Sequence, residues 1–174
     1  MEAQSSRSIK AIALKYGLIQ GAISFILFLL GTIAGIRFGS AVTAVNSVIL
    51  IVLIILAHSE YKRAHAGMMS YPQGLGSGTL LAAIAAVVDA ILVFIYLKYI
   101  NSGYLVTIAQ AQRAAIERRG ISGAQAQQAL TIVSAFRTPL VIVLTSLVTT
   151  VIIGFIISLI VSIFTQKEDS RAVV

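Results

Sequence analysis

No charged residue interrupts the stretch between Arg137 and Lys167, and most of its side chains are Val, Ile or Leu. An uncharged apolar run of this length exceeds the roughly 20 residues that a helix needs to cross a bilayer. Thr138 and Pro139 mark its start. A hydroxyl at the N-cap can accept from a free N–H, and Pro suits the first helical position with its fixed φ. Within the run, Ser146, Thr150, Gly154, Ser158 and Ser162 recur every four residues. Small side chains at that interval let another backbone come close, which is how helices associate where lipid removes the hydrophobic drive. The segment reads as a membrane helix with a packing ridge.

The rest of the chain agrees. Of 174 residues, 58% are hydrophobic and 11% charged, against about 25% charged in a typical soluble domain. A polytopic membrane protein of one domain, spanning residues 1–174, is expected. There is no cysteine, which excludes a disulfide framework, a thiol nucleophile and a thiolate metal site. The net charge of +7 would suit nucleic acid, but Lys and Arg flank the apolar runs, where they meet headgroups. No basic face exists apart from the helix ends, so nucleic acid is not an expected partner. The expected partners are membrane lipids, and further copies of the chain or a larger membrane complex.

Taken in order, Arg7, Lys10 and Lys15 precede a first span at about 16–38, which holds Gln20 and no charge before Arg37. It is longer than the apolar region of a signal peptide and is expected to be retained. Its glycines, Gly17 with Gly21, then Gly31, Gly35 and Gly39, are spaced for helix contact. A second span at about 41–57 carries Thr43, Asn46 and Ser47 near one end. A polar loop is expected over 58–73, with His58, Glu60, Lys62, Arg63 and His65, and with Tyr61 and Tyr71 at the interface. The third span, about 74–100, carries a second ridge: Gly74, Gly78, Ala82, Ala86 and Ala90. Such a row drifts about 40° per step, so it suits a crossing partner with a matching drift, such as the row beginning at Ser146. The fourth span covers about 139–164.

Residues 103–136 read differently. Leu105, Ile108, Ala109 and Ile116 fall on one side of a helix, against Gln110, Gln112, Arg113 and Glu117. Gly120 stops it as a C′ residue, and Ser122 with Gln125 has capping-box spacing for a second helix bearing Ala126, Ala129, Leu130, Val133 and Phe136. The fold class expected is all-α: an integral membrane four-helix bundle with an extramembrane αα-hairpin between spans three and four. The tail from Lys167 is short and charged, and is expected to fray. More basic residues precede span one than follow it, which places the N-terminus in the cytoplasm, and four spans return the C-terminus to the same side.

Several segments resemble a bacterial membrane family catalogued as domain of unknown function 4199. They are Lys15-Tyr16-Gly17-Leu18 entering span one, and Tyr71-Pro72-Gln73-Gly74-Leu75-Gly76 entering span three. Lys98-Tyr99-Ile100-Asn101 at its exit, Arg119-Gly120-Ile121-Ser122 at the hairpin turn, and Gly154-Phe155-Ile156-Ile157-Ser158-Leu159-Ile160 in span four are also similar. The resemblance covers nearly the whole chain and implies four transmembrane helices with a helical excursion before the last, in a bacterial inner membrane. It carries no activity, and this hairpin has fewer acids and more Arg and Gln than the family's.

Asp89 is the only ionisable residue deep in an expected span, and Ala82, Ala85 and Ala86 share its face. A carboxylate there is costly, so intramembrane acids are functional candidates by default. Three readings stand: an acid hydrogen-bonded across helices to Asn46, Ser146, Thr149 or Thr150, a proton or cation site, or a contact to another subunit. His58-x-Glu60 resembles part of a deaminase zinc motif, but the cysteines that chemistry requires are missing. His58, Glu60 and His65 in a loop are a weak basis for a metal site, and His58 near a helix C-terminus is explained by the dipole. Gly74-x-Gly76-x-Gly78 opens a membrane helix rather than following a strand, so close packing explains it better than phosphate binding. No nucleophile–base–orienter set is present, and no cofactor, metal or enzymatic activity is expected. The function expected is non-catalytic: a structural or accessory subunit, or a homo-oligomer, acting through helix–helix association. The alternative is a small transporter or channel with Asp89 as its protonatable or cation-binding group.

Overall fold

A hydrocarbon-embedded backbone must satisfy its own polar groups, which leaves the helix as the form for these apolar runs. The computed structural model describes residues 8–34, 40–101, 103–120, 123–135 and 138–167. Within them the chain is all-α: α1 (Ile9–Ile33), α2 (Ser40–Ala64), α3 (Tyr71–Ile95), α4 (Tyr104–Arg118), α5 (Gly123–Ala135) and α6 (Pro139–Thr165). A π-helical turn, Tyr96–Ile100, prolongs α3. Four helices are long and apolar enough to cross a membrane: α1, α2, α3 with its π turn, and α6. The protein is a multi-pass membrane bundle.

Local signals set the helix ends. Ser8 Oγ accepts from Lys10 N at 3.2 Å. At the head of α3, Gln73 Oε1 accepts from Ser70 N at 3.0 Å, the return half of a capping box. Thr138 Oγ1 accepts from Val141 N at 3.4 Å, and Pro139 begins α6. Gly120 follows α4 at φ +73°, a conformation that favours glycine. Gly35, Gly39, Ser122 and Phe136 lie outside the described residues.

The loop expected over 58–73 is shorter in the structure. Residues 58–64 belong to α2 and 71–73 to α3. His58, Glu60 and Lys62 reach partners on neighbouring helices while Arg63 is exposed, so polarity there marks the helix leaving hydrocarbon rather than ending.

The chain forms two compact units: Met1–Asp89 with Leu147–Val174, and Ala90–Ser146. In the first, the core joins all four spans through Ile12 and Ala13 of α1, Leu50, Ile54, Ala57 and Tyr61 of α2, Leu81 and Ala82 of α3, and Val161 of α6. The four spans run up, down, up and down. Met69 and Lys167 exchange backbone hydrogen bonds of 3.0 and 2.9 Å, which fixes the end of α6 beside the start of α3. The second unit holds the end of α3, the α4–α5 hairpin and the start of α6, with Val93, Tyr96, Leu97 and Val143 buried.

Candidate functional site

Packing rows come first, because they set the levels at which polar groups meet. A Cβ added at Gly74 would stand 3.0 Å from Ser162 Oγ and 3.3 Å from its Cβ. One at Gly78 would stand 3.0 Å from Ser158 Cβ, and one at Gly154 would run into Ala82 Cβ. The pairs 74 with 162, 78 with 158 and 82 with 154 step four residues up α3 for four down α6, the register of two antiparallel ridges. Ser158 Oγ also donates to Leu75 O at 3.0 Å. On another side of α3, Gly17 lies against Ile84 and the Leu81 carbonyl, and Gly21 against Val88 and the Ala85 carbonyl. Ala86 and Ala90 are buried, as is Gly31 on α1. α3 is thus gripped by α1 and α6 through glycine, alanine and serine, which permit the close approach that van der Waals packing in lipid requires.

A polar layer sits within this frame. Asn46 Oδ1 accepts from Gln20 Nε2 at 2.9 Å and from Ser24 Oγ at 2.8 Å, joining α2 to α1. Gln20 is 2% exposed, and its Oε1 is buried without a hydrogen-bond partner. α1 and α3 run in the same direction. Since Gly17 lies beside Leu81 and Ile84, and Gly21 beside Ala85 and Val88, the next turn of α1, at Ser24 and Phe25, is level with Asp89. Asp89 itself is half-buried and has no hydrogen-bond or ion-pair partner among the described residues.

Three residues proposed from sequence as neighbours of this acid, Ser146, Thr149 and Thr150, make no hydrogen bond to it among the described residues. Ser146 is exposed and donates to Val143 O of its own helix at 3.1 Å. Thr149 is exposed and Thr150 half-buried. Asn46 pairs with Gln20 and Ser24, two residues that sequence reasoning did not place in the site. Gln20 was visible as an amide in an apolar run, but matching it to Asn46 needs the α1–α2 register. Replacing Asn46 with Ala removes the acceptor of both Gln20 and Ser24 and leaves the Gln20 amide only Ser24 Oγ, at 3.2 Å, so about 1–3 kcal/mol should be lost. Reversible unfolding in detergent micelles measures it.

A second polar cluster closes the end of the bundle that holds the α1 N-terminus and the α6 C-terminus. His58 is fully buried; its Nε2 donates to Gly74 O at 3.0 Å and its Nδ1 lies 2.7 Å from Thr165 Oγ1. Lys62 Nζ donates to Thr165 O at 3.1 Å. Glu60 Oε2 accepts from Lys15 Nζ at 2.7 Å and from Tyr16 OH at 2.9 Å. His65 Nδ1 donates to Tyr61 O at 2.9 Å. His58, Glu60 and His65 therefore serve separate helix contacts and do not converge, and no group of three metal-ligating side chains forms among the described residues. The cluster ties α2 to α1, α3 and α6.

Compared with known proteins, residues 15–167 match the family described as Protein of unknown function (DUF4199). No curated protein and no solved structure matches the chain.

Proposed function

We propose that this chain, which belongs to the DUF4199 family of proteins of unknown function, is a non-catalytic membrane protein that binds a proton or a small cation at its intramembrane polar layer and passes it on. Asp89 carries this reading. It is a carboxyl in an apolar span, half-buried and without a hydrogen bond among the described residues. An acid kept only to tie helices together would be hydrogen-bonded, as Asn46 is. About one helical turn before that level, Gln20 Oε1 is a second buried acceptor without a hydrogen bond among the described residues. An intramembrane acid with a further acceptor about one turn away suits a proton or a desolvated cation, and such acids mark pathways of this kind. A catalytic role is not supported. Thr165 and His58 form a hydroxyl–imidazole pair, but His58 is fully buried and its other nitrogen is held by Gly74 O.

The test is flux in proteoliposomes with an imposed pH or Na⁺ gradient. Asp89→Asn should abolish gradient-driven flux while leaving the helical spectrum intact. Unchanged flux in the variant, or none in the parent, removes the reading.

Association with a second copy or a larger complex is the other reading, and one observation favours it. α6 is the least buried of the four spans. Gly154, Ser158 and Ser162 of its small-residue row are spent on α3, while Leu144, Val148, Ile152, Ile156, Ile160 and Ile163 are exposed. Monomer alone after extraction with native lipid, with no co-purifying protein, would end this reading. On either reading the end bearing Lys10, Lys15, Lys62, Arg63 and Lys167 faces the cytoplasm of a bacterial inner membrane, in keeping with the excess of Lys and Arg on cytoplasmic sides.

A further inference from the structure

Between the third and fourth spans, residues 104–137 carry Arg113, Arg118, Arg119 and Arg137 against a single acid, Glu117. Arg113, Arg118 and Arg119 are exposed. α4 has 15 residues and α5 has 13, lengths at which an isolated helix is marginal in water. A hairpin of two such helices has no third layer of its own to cover an apolar side. Yet the sequence places Leu105, Ile108, Ala109 and Ile116 on one side of α4, where Leu105 and Ile116 are half-buried, and Val106, beside that side, is 58% exposed.

Where the hairpin stands limits what can cover that side. Residues 101–103 join it to the π turn of α3, and 136–138 join it to α6. Three residues reach about 10 Å, so both ends of the hairpin are held close to where the two spans leave hydrocarbon. Tyr99 and Ile100, at the exit of α3, are 71% and 69% exposed, as suits side chains at a membrane interface. At about 100° per residue, Arg113 falls on one flank of the apolar side of α4 and Arg118 on the polar face. An apolar side opposite a face that bears cations is the pattern of a helix lying in the headgroup plane.

We propose that the α4–α5 hairpin rests on an anionic phospholipid surface, its apolar side toward the acyl chains and its arginines on headgroup phosphates. Charge complementarity favours this occupant. A guanidinium presents a planar fork that binds phosphate oxygens bidentately, and the hairpin's position at the membrane puts phosphates within reach.

Amide hydrogen exchange of the full chain in nanodiscs tests it. Discs of phosphatidylcholine alone are compared with discs containing phosphatidylglycerol. α4 and α5 should exchange on the order of 10- to 100-fold more slowly in the anionic discs, and high salt should remove the difference. The triple variant Arg113→Gln, Arg118→Gln, Arg119→Gln should behave in anionic discs as the parent does in neutral ones. Amides of α1 to α3 report in the same experiment that the variant is folded. Equal exchange in both discs overturns the proposal. So does slowing that arises only after a soluble protein extract is added, which would assign the surface to a protein.

Discussion

Replacing Gly154 with Val is expected to destabilise the bundle by about 3 kcal/mol or more, the upper range for forcing extra carbons into a packed interior. A Cβ at this position runs into Ala82 Cβ, an atom fixed to its backbone that cannot rotate away. α3 and α6 would have to part. Parting them also draws Ser158 and Ser162 from Gly78 and Gly74 and breaks the Ser158–Leu75 hydrogen bond. Gly76→Ala is the control. Nothing lies within 4 Å of a Cβ there, so the gain in helix propensity should stabilise by about 0.5–1 kcal/mol. Unfolding in mixed micelles, followed by circular dichroism, separates the two outcomes. Equal effects at the two glycines would show that the row is not the contact.

His58→Ala should cost about 3 kcal/mol, from the cavity left by a fully buried ring and from the loss of hydrogen bonds to Gly74 O and Thr165. The damage should be local. Lys62 and the Met69–Lys167 pairing hold the same end of α6, so that end loosens before the core does. Hydrogen exchange should rise most at 162–167 and 70–75. His65→Ala, which removes a half-buried ring stacked on Tyr61 just past the end of α2, should cost under about 1 kcal/mol, since it leaves no buried partner orphaned.

The spans and their start signals were legible because hydrocarbon imposes a crude code: length without charge, then caps. Thr138–Pro139 and Gly120 could be read without knowing any neighbour. So could the small-residue rows, since a four-residue spacing needs only helix geometry. What could not be read was anything set by register between helices. The sequence offers Asn46 as a partner for Asp89, because depth can be guessed and azimuth cannot; the structure gives it Gln20 and Ser24. Residues 58–64 read as loop because they are polar. Their polarity is spent on contacts with Lys15, Tyr16, Gly74 and Thr165, partners whose proximity exists only once four helices have assembled. Asp89 stood out in the sequence by rarity alone, and its position still makes it the residue to test.

The chain has no cysteine, which allows the seam to be tested by a single introduced bond. The Gly74 and Ser162 positions bring Cβ atoms to about 3.3 Å, close to the separation a disulfide spans. Gly74→Cys with Ser162→Cys, oxidised in native membranes, should give an intramolecular cross-link in nearly every chain, whereas Gly76→Cys with Ser162→Cys should give none. A bond between two chains, or equal yields from both pairs, would mean that these rows do not join α3 to α6, and the bundle described here would be wrong.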